Sequence, residues 1–130
     1  MEHIGIAVNS VKLAGEIYSK LLNTPVYKTE TVESEHVLTA FLQSGPNKIE
    51  LLEALNDDSA VAKFIAKKGE GIHHIAFDVD DIDATFNALK QASFIVLEDA
   101  PVFLSFWKNG CKYFNILGPD GERLEFNQIL

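Results

Sequence analysis

HIGIAV at residues 3–8 and HIAFDV at residues 74–79 are two versions of one strand, and each begins with a histidine. Each strand is followed by an amphipathic helical pattern and then by further strand-like stretches. A sequence that repeats itself in this way predicts a duplicated supersecondary unit. The expected fold class is therefore α+β, with two tandem βαβββ modules.

The first helix is predicted to begin near Ser10, a good N-cap residue. Leu13, Ile17 and Leu21 recur after it at helical spacing and give one apolar stripe. The second helix is predicted to begin near Asp80 or Asp81, because acidic residues favour the positive end of a helix dipole. Its stripe consists of three residues: Ile82, Phe86 and Leu89.

Strand-like stretches follow each helix. In the first half they are 25–32, 36–43 and 47–53, and in the second half they are 94–98, 111–117 and 122–128. Turns are expected at Ser44–Asn47 and at Gly118–Gly121, where Pro-Asp-Gly favours a tight reversal. Residues 57–68 should form a linker helix capped by Asp58 or Ser59, and 99–110 should form an irregular loop. We expect one domain over 1–130, with module 1 at about 1–55 and module 2 at about 72–130.

Side-chain alternation along the first strands points to a cavity rather than a packed core. In the first strand, His3 shares its face with Gly5 and Ala7, while the large residues face the other way. In the matching strand, His74 shares its face with Ala76 and Asp78. A histidine beside such small side chains leaves open space next to the imidazole.

The last strand of each half adds a glutamate at a matched place, Glu50 in KIELLE and Glu125 in RLEFNQ. If the halves pair about a pseudo-twofold axis, His3, Glu50, His74 and Glu125 converge. Two unpaired carboxylates brought together repel each other, and a divalent cation removes that penalty. Two nitrogen and two oxygen ligands suit Co, Ni, Mn, Zn or Fe, with positions left open for substrate. The alternative is that each histidine and glutamate is structural or solvated.

Composition and charge limit the partners. The chain has 130 residues and a formal net charge of −8, so neither nucleic acid nor an anionic membrane is an expected partner. The segment MEHIGIAV has no basic region, so a secretory leader is not expected. The single cysteine, Cys111, excludes a disulfide within the chain and favours a reducing, cytoplasmic location.

The stretch GIHHIAFDVDDI at residues 71–82, together with HIGIAV, resembles the vicinal oxygen chelate (glyoxalase/bleomycin resistance/dioxygenase) superfamily. Within it, the chain is most similar to methylmalonyl-CoA epimerases. The resemblance implies a cleft between two βαβββ modules that holds a divalent metal on His3, Glu50, His74 and Glu125. It also implies a homodimer.

The C-terminal part departs from that epimerase pattern. Residues 111–128, CKYFNILGPDGERLEFNQ, look like the ending of glyoxalase-type members. Some epimerases carry a glutamate base on the third strand, where this chain aligns Thr39. The position of Glu50 is glutamine in some epimerases and glutamate in glyoxalase I.

The resemblance implies a metal-dependent isomerase that abstracts a proton next to a carbonyl through a stabilised enediolate. Glu125 or Glu50 is the expected catalytic base, and an epimerase of a malonyl-type thioester is the leading function. The alternatives are a lactoylglutathione lyase of the glyoxalase I type, which acts on a hemithioacetal, and a non-catalytic binding protein of the drug-resistance type. A dioxygenase is less favoured, because those sites use two histidines and one carboxylate.

Several other residues have weaker signals. His73 should pack on the opposite face from His74, His36 should lie at the surface, and Cys111 should be a small core residue. Phe103, Phe106 and Trp107 are expected either to cover the cavity or to fill the core. The lysines that could meet a CoA phosphate are Lys67, Lys68, Lys108 and Lys112.

Overall fold

The structure, a computed structural model, describes residues 1–130 and contains eight strands and three α-helices. In chain order they are β1 (His3–Ala7), α1 (Val11–Leu22), β2 (Lys28–Val32), β3 (Val37–Ser44), β4 (Asn47–Ala54), α2 (Ala60–Lys68), β5 (Gly71–Asp78), α3 (Ile82–Gln91), β6 (Val102–Leu104), β7 (Cys111–Leu117) and β8 (Arg123–Ile129). The chain divides into two compact units, one formed by His3–His73 and the other by Met1–Glu2 with His74–Leu130.

The first unit has the strand order β2-β3-β4-β1. Strands β3 and β4 are antiparallel and joined by the predicted turn at Gly45 and Pro46, whereas β1 runs parallel to β4. The register of the parallel pair places Gly5 beside Glu50. This unit is the predicted β-α-β-β-β module.

Helix α1 begins where predicted, since the Ser10 hydroxyl accepts a hydrogen bond from the Leu13 backbone N–H at 3.1 Å. The helix covers one face of the strands, and Tyr18 packs with Ile6 against the core. The buried members of this core are Val8, Val11, Ala40, Leu42 and Leu51. Ile6 and Val8 therefore face the helix, as strand alternation predicts.

The stripe of Leu13, Ile17 and Leu21 does not face this core. These side chains are 62%, 60% and 71% exposed, so the predicted apolar stripe does not form the buried face of the helix. The closest approach is instead at Gly15, where an added Cβ would lie 3.2 Å from Val26 Cγ2 in the segment before β2. Because of this close approach, the helix packs on the core through the face that carries Val11 rather than the face that carries Leu13.

Helix α2 begins three residues later than the predicted start at 57. The Ser59 hydroxyl accepts from the Val61 backbone N–H at 3.1 Å, and Gly69 ends the helix at a φ of 81°. Val61 is buried, and the ring of Phe64 meets the ring of His73 edge-on, with centroids 5.0 Å apart. The linker helix therefore packs on the first unit through Val61 and Phe64.

The second unit has the strand order β5-β8-β7-β6. Asp81 caps α3, with its Oδ1 accepting from the Ala84 backbone N–H at 3.0 Å. The core beneath this helix includes Phe114, whose ring contacts Phe86 edge-on at 5.2 Å and stacks on Phe126 at 5.4 Å. Ile82 and Phe86 are buried, so the predicted stripe of this helix is confirmed.

The edge of the second unit differs from the prediction. Residues 94–98 form no strand and make only an isolated bridge between Val96 and Ile116. The third strand is instead β6, which pairs with β7 inside the stretch 99–110 expected to be irregular. The reason is local, because the side chain of Glu98 accepts from the Asn115 backbone N–H at 2.6 Å and so replaces backbone pairing at that position.

None of the three helices has the length and apolar character that crossing a membrane requires.

Candidate functional site

The first unit brings together two of the predicted site residues. His3 opens β1 and Glu50 lies mid-way along β4, and both project to the face opposite α1. His3 Nε2 is 3.4 Å from Glu50 Oε1, and each side chain is only 8% exposed. A carboxylate held this far from water needs a hydrogen-bond donor or a cation beside it.

The second unit repeats this arrangement. His74 lies on β5 and Glu125 on β8, and His74 Nε2 is 3.6 Å from Glu125 Oε2. The imidazole is 8% exposed and the carboxylate is 13% exposed, so the carboxylate of this pair is slightly more open than that of Glu50.

The two pairs occupy matched positions because the registers match. Gly5 lies beside Glu50 in one parallel pair, and Ala76 lies beside Glu125 in the other. In each case the histidine stands two residues earlier on the same face, beyond a side chain too small to separate it from the glutamate. Each predicted histidine thus meets its predicted glutamate. The meeting of all four on one ion stays a prediction.

The neighbours of the two glutamates differ. Phe41 lies opposite Glu50 across the β3–β4 pair, whereas Asn115 lies opposite Glu125 across the β7–β8 pair. Leu52 lies two residues after Glu50 on β4, and Asn127 lies at the corresponding place after Glu125 on β8. All four are buried. Alternation along the last strand places Asn127 on the face of Glu125, whereas Asn115 lies on the neighbouring strand and was not predicted as a site residue.

Thr39 also lies on the functional face of the first unit, opposite Leu52. It is almost completely buried, and its hydroxyl donates to the backbone carbonyl oxygen of Glu30 at 2.9 Å. A neutral hydroxyl is a far weaker base than a carboxylate, and the proton of this hydroxyl is already donated to the backbone. Thr39 therefore does not supply the base that a glutamate at this position would supply.

The remaining candidate residues are mostly structural. His73 packs on Phe64, as expected, and Cys111 is buried. His36 is half-buried, with a left-handed backbone at a φ of 57°, and its carbonyl oxygen accepts from the Leu55 N–H at 2.8 Å. The prediction of a surface histidine is thus only partly correct.

The aromatic residues of the β6–β7 connection do not act alike. Phe106 is buried and its ring contacts that of Trp107 at 6.2 Å, whereas Phe103 is 56% exposed. Phe106 therefore fills the core.

Two of the four lysines have partners within their own unit. Lys68 Nζ lies 5.8 Å from the ring centroid of Phe64, and Lys112 Nζ lies 3.7 Å from Asp83 Oδ2. These contacts lie at or near the surface and give no sign of a phosphate site.

Comparisons with known proteins agree with this architecture. The Glyoxalase/Bleomycin resistance protein/Dioxygenase superfamily matches residues 2–113. The uncharacterized protein YqjC of Bacillus subtilis (strain 168) is 41% identical over 101 residues, which cover 78% of this chain and 72% of that protein. Mitochondrial methylmalonyl-CoA epimerase of Homo sapiens is 35% identical over 92 residues, covering 70% of this chain and 52% of that protein. The match thus spans about half the length of the human enzyme.

A solved structure gives the same fold. A variant of methylmalonyl-CoA epimerase from Streptomyces coelicolor, in complex with 2-nitronate-propionyl-CoA, superimposes with a TM-score of 0.86 at 31% identity. The match covers 98% of this chain and 92% of that one. The resemblance to methylmalonyl-CoA epimerases seen in the sequence is therefore confirmed, as is the fold of two βαβββ modules. The chain belongs to the Glyoxalase/Bleomycin resistance protein/Dioxygenase superfamily, also called the vicinal oxygen chelate superfamily.

Proposed function

We propose that this chain is a divalent-metal-dependent isomerase that removes and returns the proton on the carbon next to a thioester carbonyl, in the manner of a methylmalonyl-CoA epimerase. The observation that carries the proposal is the buried histidine–glutamate pair found at matched strand positions in each copy of the repeat. The epimerase relatives and the CoA-ester complex support a thioester as the substrate class.

The residues present fit a divalent metal. His3 and His74 would give nitrogen ligands, and Glu50 and Glu125 would give oxygen ligands. Both carboxylates are largely removed from water, and a cation offsets the resulting electrostatic cost. The set contains no thiolate, which separates it from the usual structural zinc site. Co, Ni, Mn, Zn and Fe all accept such ligands, so the donor set does not choose among them.

A bound divalent metal would supply Lewis-acid stabilisation of the negative charge that develops on the substrate carbonyl oxygen. The chain itself would supply the proton acceptor. Glu125 and Glu50 are the two carboxylates at the site, and Glu125 is the first to test because it is the more exposed. If one carboxylate takes the proton from one face of the carbon and the other carboxylate returns a proton to the opposite face, an epimerisation is complete.

The bonding of Thr39 restricts this mechanism. Its hydroxyl is committed to the Glu30 carbonyl oxygen, so both proton transfers fall to the site carboxylates. This differs from an epimerase with an independent glutamate base on the third strand.

A second candidate is a lactoylglutathione lyase of the glyoxalase I type. The observation that favours it is the C-terminal segment, where the Gly118–Gly121 turn joins β7 to the glutamate strand β8 in a glyoxalase-like sequence. The elementary chemistry would be the same, with the proton returned to the neighbouring carbon of a hemithioacetal.

The test is a side-by-side assay of metal-reconstituted protein with methylmalonyl-CoA and with the methylglyoxal–glutathione adduct, in deuterated water. Deuterium exchange into methylmalonyl-CoA with inversion at the exchanging carbon supports the epimerase. Turnover of the adduct alone moves the assignment to the lyase. Inactivity with both substrates, across all five metals, overturns both assignments and leaves a binding protein.

A further inference from the structure

Asn115 has a buried carbonyl oxygen that accepts no hydrogen bond. Its side-chain Nδ2 donates to Glu98 Oε2 at 2.8 Å, and its backbone N–H donates to Glu98 Oε1 at 2.6 Å. Because a carboxylate only accepts, this contact fixes which end of the amide faces Glu98. Oδ1 is left buried and without a partner. Native structures keep few such atoms, and each one calls for an explanation.

The orphan oxygen lies on the face that carries the histidine–glutamate pair. Phe114 and Ile116 point into the core beneath α3, so Asn115 between them points to the opposite face. Its direct cross-strand partner is Glu125, and side chains in such pairs are about 5 Å apart at their Cβ atoms. Asn127 stands two residues beyond Glu125 on this face and is only 5% exposed. Two buried amides therefore flank the glutamate.

The duplicated module provides an internal comparison. At the two matching positions the first unit has Phe41 and Leu52, which are also buried. The fold therefore accepts fully apolar side chains at both places, and packing alone does not require an amide at either. The two amides of the second unit therefore differ from the first unit in a way that the fold does not require.

We propose that Asn115 Oδ1 accepts a hydrogen bond from the amide N–H in the thiol arm of a thioester substrate. This inference rests on the proposed function. The reacting end of a malonyl-type thioester has a carboxylate and a carbonyl, both of which only accept. Its nearest donor is the amide N–H two carbons from the sulfur, which CoA presents. Asn127 Nδ2 would donate to the carbonyl oxygen of the same amide, so the second unit holds the arm beside Glu125.

The experiment uses two propionyl thioesters that differ at one atom. One is the thioester of N-acetylcysteamine, and in the other an ester oxygen replaces the amide N–H. Neither carries the malonyl carboxylate, so each reports on the arm. We expect the wild-type chain to bind the amide compound about tenfold more tightly in an NMR titration, since the ester leaves the acceptor unpaired.

Asn115→Leu should reduce this tenfold preference to about one without weakening binding of the ester compound. Asn127→Leu should weaken binding of both compounds alike, because both keep the carbonyl oxygen, and should leave the preference near tenfold. Asn115→Val, which also lacks the amide and suits a strand, serves if Asn115→Leu does not fold. Asn87→Leu, at an exposed position of α3, is the matched control and should keep the preference.

The outcomes separate this inference from the proposed function. Equal binding of the two compounds by the wild-type chain, together with turnover of methylmalonyl-CoA, overturns the inference alone and indicates that Oδ1 meets a buried water. A preference that survives in a folded Asn115→Leu or Asn115→Val chain overturns it as well. Binding of neither compound, with no turnover of methylmalonyl-CoA, overturns the inference and the proposed function together.

Discussion

Glu125 Oε2 lies 3.6 Å from His74 Nε2, and this pair reproduces, one module later in the chain, the 3.4 Å approach of Glu50 to His3. The two pairs have the same origin in the sequence. In each pair, the histidine and the glutamate come from two neighbouring parallel strands. The residue directly beside the glutamate is Gly5 or Ala76, and the histidine lies two residues before it. If both pairs hold a single ion, loss of either histidine should disable the whole site, and this separates one shared site from two independent ones.

Metal binding should stabilise the wild-type chain. A ligand that binds only the folded state adds about 2.7 kcal/mol when present at a hundred times its dissociation constant, which raises Tm by several degrees in a domain of this size. We expect Co²⁺ or Ni²⁺ to produce this rise at one ion per chain, measured by thermal unfolding and by titration. His3→Ala and His74→Ala should each abolish it.

The control for this measurement is His36→Asn, which changes a histidine away from both pairs and keeps a residue that tolerates the left-handed backbone. It should retain the full rise in Tm. Retention of half the metal stoichiometry in His3→Ala or in His74→Ala would contradict a shared ion.

Glu125→Gln should stop turnover while leaving the fold intact. The amide keeps the size of the side chain but does not accept the substrate proton, and loss of a positioned base lowers rates by at least about a hundredfold. Calorimetric titration with metal and the methylmalonyl-CoA assay, performed on one preparation, separate loss of the base from loss of the ion. Turnover near the wild-type rate in a metal-loaded Glu125→Gln chain would remove Glu125 from the mechanism and leave Glu50 as the base.

The paired residues could be predicted from the sequence because alternation along a strand fixes which side chains share a face. Once HIGIAV and HIAFDV are recognised as copies, the faces of His3 and His74 follow, and the glutamates follow from the last strand of each copy. Asn115 could not be found in this way. Its significance depends on the side chain of Glu98, in a segment that had been predicted to be a strand.

Helix α1 shows a different limit of the sequence. Val11, Ala14 and Tyr18 form one apolar stripe, and Leu13, Ile17 and Leu21 form another, so periodicity alone does not choose between them. The choice is made by the contact of Gly15 with Val26, which joins the helix to the segment before β2. The small size of Gly15 at this contact, rather than the hydrophobicity of either stripe, therefore determines which face of α1 packs on the core.

The same substitution at two leucines checks this assignment of faces. Leu51 is fully buried in the first core and Leu21 is 71% exposed. We expect Leu51→Ala to lower the free energy of unfolding by about 2–5 kcal/mol, because it removes buried contacts and leaves a cavity. Leu21→Ala should change it by less than about 0.5 kcal/mol. Urea denaturation gives both values, and similar losses at the two positions would show that α1 packs through the other stripe.

Substitution of Gly110, just before β7, should destabilise the fold more than substitution of Gly45, although both glycines have positive φ. At Gly110 (φ 84°) an added Cβ would lie 2.5 Å from the Phe103 ring and 2.9 Å from the Leu104 carbonyl oxygen, whereas at Gly45 (φ 57°) it would meet nothing within 4 Å. Both alanine variants bear the left-handed backbone cost of about 1 kcal/mol. Only Gly110→Ala must also displace β6, so we expect its free energy of unfolding to fall by at least about 2 kcal/mol. Urea denaturation measures both losses, with Gly45→Ala as the control. Equal losses in the two variants would mean that β6 does not lie against Gly110, and that residues 99–110 form the irregular loop expected from the sequence.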